Sequence, residues 1–190
     1  MANVLVIGDL HFPAERQDYL KFCKDMKRKH KANEIVFIGD ILDHHAISFH
    51  QKNPDSDNAV AEYEKAMQSL KKWHKAFPEA RVCIGNHDER VHRLAAASGI
   101  PAMYLKDYKD IYETPSWDWD YEHTIDDVYY YHGTGASSGL CPAFNTAKAR
   151  LQSAVAGHIH STAAILYTSG PTNNKIFGFN VPNGVDKDHN

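Results

Sequence analysis

An α/β fold, with a largely parallel sheet and a site at the carboxyl ends of its strands, is what this sequence of 190 residues predicts. Short apolar, β-branched runs alternate with helical periodicity through the first half, in the order βαβαβα. Every strand-to-helix junction there carries a Gly and then a polar side chain able to bind metal or move a proton, and in open α/β sheets such junctions gather at one edge. Histidine is the compositional outlier, at 13 residues, and it directs attention to those junctions.

The first strand is Val4-Leu5-Val6-Ile7, closed by Gly8. It delivers Asp9 and His11, two residues apart, so that both side chains can point to one side. In residues 13–31, Tyr19, Leu20, Phe22, Cys23 and Met26 have a mixed but helix-like spacing. Lys24, Lys27, Arg28, Lys29 and Lys31 gather towards the end of that stretch, where cations suit the helix dipole; a solvated helix end is favoured over a phosphate contact. Residues 34–38 form a second strand, ending in Gly39-Asp40-Ile41-Leu42-Asp43.

A polar loop follows over residues 44–58, including Asn53-Pro54-Asp55. Val60, Tyr63, Met67, Leu70, His74 and Phe77 then fall at spacings of three and four, an amphipathic helix closed by Pro78. The third strand, residues 81–84, ends in Gly85-Asn86-His87-Asp88. A short helix with Val91 and Leu94 follows and stops at Ser98-Gly99 and Pro101.

From residue 104 the character changes. Tyr104, Tyr108, Tyr112, Trp117, Trp119 and Tyr121 are read as core and rim packing, ahead of lining a cleft or stacking bases. Val128-Tyr129-Tyr130-Tyr131 is a fourth strand, ending in His132-Gly133. The Gly/Ser-rich loop 134–139 resembles a phosphate cradle only superficially. Cys141-Pro142 leads into a helix through Leu151, and Ala154-Val155-Ala156 precedes Gly157-His158-Ile159-His160. Residues 163–168 and 175–180, separated by Gly170-Pro171-Thr172-Asn173-Asn174, give a hairpin signal. The chain is read as one domain over residues 1–190, with a tail over 183–190 expected to fray.

Composition sets the remaining bounds. The formal charge of -3 predicts no strong pull toward nucleic acid or anionic membrane. Cys23, Cys83 and Cys141 are widely spaced without a CxxC, which points to buried thiols in a reducing compartment. No run approaches a membrane span and no secretion signal is apparent, so a cytoplasmic protein is expected.

Collected in order, the strand ends form Gly-Asp-x-His, Gly-Asp-x-x-Asp, Gly-Asn-His-Asp, His-Gly and Gly-His-x-His. This set closely resembles the calcineurin-like metallophosphoesterase family, in the family's order, from Asp9 to His160. The resemblance implies a β-sandwich flanked by helices, in αββα layers, and a pair of divalent cations. By it, Asp40 bridges the two metals, Asp9, His11 and His160 complete one site, and Asn86, His132 and His158 complete the other. Mixed imidazole and oxygen ligands suit Mn, Fe, Co, Ni or Zn, with Mn²⁺ the working choice. The resemblance implies direct in-line attack by metal-bound hydroxide. His87 then stabilises the developing charge and protonates the leaving alkoxide, with Asp43 behind it. For Asp43 the alternative is a loop or helix-capping role.

His44 and His45 lie close enough to the site to touch substrate, although ordinary loop positions are favoured. His30, His50, His74, His92, His123 and His189 are read as surface or helix-face residues. Protein phosphatases of the superfamily carry Arg after the second Asp of Gly-Asp-x-x-Asp and Glu after Asn-His; here those positions hold His44 and Asp88. That departure counts against a Ser/Thr phosphatase. The pattern looks more like the small stand-alone phosphoesterases of bacteria and phages. The expected substrate is a phosphodiester or nucleotide-like phosphoester, with a phosphomonoester as the alternative. Nucleic acid as substrate rests on the basic cluster and the aromatic stretch, against the acidic balance. A non-catalytic scaffold of this fold is disfavoured because His87 and every expected ligand are present. Oligomeric state is not legible in the sequence.

Overall fold

The computed structural model describes residues 1–49, 57–135, 139–169 and 175–186. In chain order the elements are β1 (Val4–Ile7), α1 (Tyr19–His30), β2 (Glu34–Phe37), a 3₁₀ turn (His45–Ile47), α2 (Ala59–Ala76) and β3 (Ala80–Cys83). There follow α3 (Arg90–Ala97), a second 3₁₀ turn (Ala102–Tyr104), α4 (Tyr108–Ile111), β4 (Trp117–Asp120), β5 (Glu122–Ile125) and β6 (Val128–Tyr131). The chain closes with α5 (Pro142–Arg150), β7 (Ser153–Ala156), β8 (Ala164–Ser169) and β9 (Lys175–Asn180).

Two sheets result. The first is wholly parallel, in the order β1-β2-β3-β4, and the second is mixed, in the order β5-β6-β7-β9-β8. Their layering follows from the two-residue period of a strand. Leu5, Ile7, Ile35 and Phe37 point outward onto Cys23 of α1 and onto Leu70 and Trp73 of α2. Val4, Val6 and Val36, alternating with them, point inward and meet Ile125, Tyr130, Val155 and Phe179 of the second sheet. On the far side of that sheet, Tyr129 and Ala154 pack on Ala147 of α5. The order is helix, sheet, sheet, helix, as the αββα expectation has it.

The aromatic stretch divides. Tyr112 and Trp117 are buried, Tyr108 and Trp119 pack against the same core, and Tyr104 and Tyr121 are exposed. Packing is therefore its main use, but it also supplies β4 and β5, strands that the sequence reading leaves unassigned. The β5–β6 hairpin turns through Asp126 and Asp127, both left-handed with φ of 49° and 64°, a pair far less diagnostic than Asn-Gly. His123, expected at the surface, is buried in β5, with Nε2 3.1 Å from the Val82 carbonyl.

The first helix begins at Tyr19 rather than near Pro13. The tail is held rather than frayed as far as Asp186. Its Gly184 N–H donates to Asp9 O and its Asp186 N–H to Ala14 O, both at 2.8 Å, and the Arg16 N–H donates to Gly184 O at 2.8 Å, so the tail pairs antiparallel with the chain around Glu15. The Asn53-Pro54-Asp55 turn, residues 136–138 of the Gly/Ser loop, the 170–174 hairpin turn, His50, His189 and the end of the tail lie outside the described residues. All three cysteines are free and buried. Among the described residues no helix is long and apolar enough to cross a membrane.

Candidate metal centre

The recurring Gly before each polar residue has a steric cause. A Cβ on Gly85 would stand 2.2 Å from Asp40 Oδ1, and one on Gly157 would stand 2.3 Å from Asp9 Oδ1. Each glycine lets a neighbouring strand end press its carboxylate against the backbone. The backbone turns sharply there as well. His11, Asp40 and His158 hold φ of 47°, 50° and 67°, a region that side-chain-bearing residues rarely adopt and that clusters at functional sites.

These turns bring the expected residues together. Asp9 Oδ2 accepts the His158 N–H at 2.9 Å and faces His160 Nε2 at 3.1 Å. Asp40 Oδ1 accepts the His87 N–H at 2.8 Å. Its Oδ2 lies 3.1 Å from His132 Nε2, 3.5 Å from His11 Nε2 and 4.0 Å from His87 Nε2. Asn86 Oδ1 stands 3.1 Å from His132 Nε2 and accepts from Thr134 Oγ1 at 3.2 Å. Three groups each offer ligand atoms within 4.8 Å of one another: Asp9, His11 and His160; His11, Asp40 and His87; Asp40, His132 and His158.

The tautomers are set from behind. His11 Nδ1–H donates to Asp43 Oδ1 at 2.8 Å and His132 Nδ1–H to the Ile38 carbonyl at 2.9 Å. Each ring then presents Nε2 to the centre, which is how ligating histidines are held. His87 Nδ1 lies 2.7 Å from Asp43 O and 3.0 Å from Asp43 Oδ1. Asp43 therefore serves His11 and His87 together, and not His87 alone.

Charge is concentrated in this space. Burial raises the Asp40 carboxyl, but the hydrogen bond from His132 and the charges of His132, His87 and His11 hold it well below the usual range. Burial likewise raises Asp43, and its bonds from His11 and His87 bring it down further. For His132, burial lowers the imidazole, but its bond to Asp40 and the Asp40 and Asp9 charges push it up to about 9. His87 is raised in the same way by Asp43 and Asp40, with Arg90 opposing.

The residues fit a divalent cation. Asp9 Oδ1 and His11 Nε2 are buried with no hydrogen-bond partner, and both lie in the ligand groups. Buried polar atoms are rarely left this way unless something binds them. The donor set, carboxylate and amide oxygen with imidazole nitrogen, suits a first-row transition metal better than Mg²⁺ or Ca²⁺.

Several contributors are not legible in the sequence as site residues. Asp88, fully buried, accepts from Ile41 N and Gly85 N, both at 3.0 Å, and from Tyr112 OH at 3.2 Å, so it ties the Asp40 turn to the Asn86 turn. Burial pushes its carboxyl up to about 7. Arg90 reaches His87, and its spacing of three at a helix start is a signal that could have found it. The His44 ring is buried with its Nδ1 2.9 Å from the His87 carbonyl, and the backbone N–H groups of His45 and Ala46 donate to Glu62 at 2.6 and 2.8 Å. A groove of about 490 Å³ beside Tyr108, Trp117 and Trp119 contains none of the converging residues.

A two-sheet α/β sandwich with His and Asp clusters able to hold divalent metals is the class that fold and site define. The chain belongs to the calcineurin-like phosphoesterase family, whose model matches residues 2–162, and it is a metal-dependent phosphoesterase. No curated protein sequence matches the chain. Among solved structures, the nuclease MPE of Pseudomonas putida is similar at 13% identity and a TM-score of 0.48, over 97% of this chain and 75% of that one. The phosphoesterase Yfce from E. coli is similar at 16% identity and a TM-score of 0.41, over 98% and 83%.

Proposed function

We propose that this protein hydrolyses phosphodiesters or nucleotide-like phosphoesters with two divalent cations, Mn²⁺ being the working choice. The observation that carries the reading is the convergence of Asp9, His11 and His160, and of Asp40, His132 and His158, into ligand groups with Asp40 facing both sides. Asp9, His11 and His160 would hold one cation, Asn86, His132 and His158 the other, and Asp40 would bridge them. When bound, such a pair draws charge from a phosphoryl group and lowers the pKa of water.

The chain's own residues do the rest. His11 and His132 turn Nε2 to the centre because Asp43 Oδ1 and the Ile38 carbonyl accept their Nδ1–H groups. Asp43 stabilises the imidazolium of His87, whose Nε2 proton goes to the leaving alkoxide. The charge of Asp43 supports that role, because it lies well below the usual carboxyl range. We read residues 1–190 as one such domain, since the two sheets share one core. The three free thiols support a cytoplasmic location.

A phosphomonoester is the second reading, favoured by one observation: the Arg90 guanidinium lies 3.1 Å from His87 Nε2, where it would favour a doubly charged terminal phosphate. One screen separates the two. Bis-p-nitrophenyl phosphate and cyclic nucleotides are compared with p-nitrophenyl phosphate and mononucleotides, with Mn²⁺ and then with chelator. Diester turnover that chelator abolishes is expected. Turnover of monoesters alone would move the assignment to the second reading, and chelator-resistant activity would remove the metals from it.

A further inference from the structure

Beside the candidate centre stands a cation, Arg90, that forms no ion pair with a carboxylate among the described residues. Arg90 opens α3; its Nη1 donates to the carbonyls of Asp43 at 2.7 Å and His44 at 3.0 Å. Its Nη2 lies 3.1 Å from His87 Nε2. Among the described residues no carboxylate pairs with this guanidinium. A guanidinium only donates, so His87 Nε2 accepts here and the ring's own proton sits on Nδ1, against Asp43.

The guanidinium thus spends Nη2 on a neutral acceptor. An anionic oxygen placed beside Nη2 would accept from it in a charge-assisted bond about twice as strong as the contact it displaces. The neighbouring His44 cannot bind that oxygen, because its ring is turned into the protein and committed to the His87 carbonyl. Burial also lowers the pKa of that ring, which keeps it neutral.

We propose that Arg90 grips the phosphoryl group of the substrate, resting on the phosphoesterase reading above. Nη1 stays anchored on the Asp43 and His44 carbonyls, which fixes the plane of the guanidinium. Nη2 leaves His87 Nε2 for a non-bridging phosphoryl oxygen, and that exchange uncovers Nε2 beside the bound phosphoryl group.

The competing role is a clamp that only stitches the loops after β2 and β3. Arg90→Met and Arg90→Gln separate the two, the Gln retaining an amide donor for the loop carbonyls without the charge. Inorganic phosphate is titrated calorimetrically into Mn²⁺-loaded protein, and KM and kcat are measured for p-nitrophenyl phosphate and bis-p-nitrophenyl phosphate. Both variants are expected to bind phosphate about tenfold more weakly or worse, with KM rising in parallel and Mn²⁺ affinity unchanged. Phosphate affinity and KM at the parent's values in the Gln variant would overturn the proposal, whatever happens to kcat. A parent protein that binds Mn²⁺ and phosphate but hydrolyses no phosphoester would sink the phosphoesterase reading instead, while the Arg90 comparison still reads out.

Discussion

Asp43 takes the Nδ1 side of two imidazoles, His11 at 2.8 Å and His87 at 3.0 Å, and that sharing makes a distinctive prediction at the residue scale. A carboxylate serving His87 alone would affect turnover and leave metal binding intact. Here its removal also lets the His11 ring rotate and exchange tautomers. Asp43→Ala is expected to weaken Mn²⁺ binding about 10–100-fold, the usual cost of losing such a supporting bond, as well as lowering kcat. Calorimetric Mn²⁺ affinity equal to the parent's would confine Asp43 to His87. A second residue-scale prediction concerns acid. Burial lowers the pKa of His44 from 6.5, against the opposing bond to His87 O and the Glu62 charge. Below that value the unfolded chain takes up a proton at His44 that the folded ring resists, so the unfolded state binds more protons. Stability must then fall as pH drops through about 6.5, by at most about 1.4 kcal/mol per pH unit from this group, and the loss is absent above it. His44→Asn keeps a donor for the carbonyl and tolerates the left-handed φ of 52°. Its urea midpoints between pH 5 and pH 7 should decline less steeply than the parent's; identical slopes would show that His44 is not a source of acid sensitivity.

At the scale of elements, what is readable depends on whether a strand is buried on both faces. β1 and β2 pack on helices with Leu5 and Phe37 and on the other sheet with Val6 and Val36, so their sequence is apolar on both faces apart from Glu34 at the start of β2. β4 and β5 read Trp-Asp-Trp-Asp and Glu-His-Thr-Ile because alternate residues face solvent, and at four residues each that alternation is too short to stand out. The ligand residues are legible because each follows an apolar strand and a Gly, and the steric need at Gly85 and Gly157 explains why the pattern repeats. Asp88 and Tyr112 act across loops far apart in sequence, such as the contact between Asp88 and Ile41 N, and no local pattern encodes a partner 47 residues away. The tail to Asp186 escapes a sequence reading for the same reason: its polarity suggests fraying, while its backbone bonds to residues 9 and 14 are invisible in composition.

The whole molecule places its candidate ligands on both layers, and a cation held by them would couple metal binding to folding. Asp9, Asp40 and Asn86 follow β1, β2 and β3 of the parallel sheet, whereas His132, His158 and His160 follow β6 and β7 of the mixed one. Direct contacts across the layers include His132 Nε2 with Asp40 Oδ2 and His160 Nε2 with Asp9 Oδ2, both at 3.1 Å, and the His158 N–H with Asp9 Oδ2 at 2.9 Å. A cation held by residues from both sheets binds the folded chain alone, because unfolding separates the strands that carry its ligands. Mn²⁺ at about a hundred times its Kd should then add about 2.7 kcal/mol per site. For a chain of this length that corresponds to a rise in Tm of about 5–10 °C, which chelator should reverse. Asp9→Asn removes a ligand charge from one site only, so its Mn²⁺-dependent rise should shrink while Asp40, His132 and His158 still deliver theirs. Calorimetric scans of both proteins with Mn²⁺ and with chelator check this. A parent Tm indifferent to Mn²⁺ would mean that no cation bridges the layers, and an Asp9→Asn rise as large as the parent's would take Asp9 out of the centre.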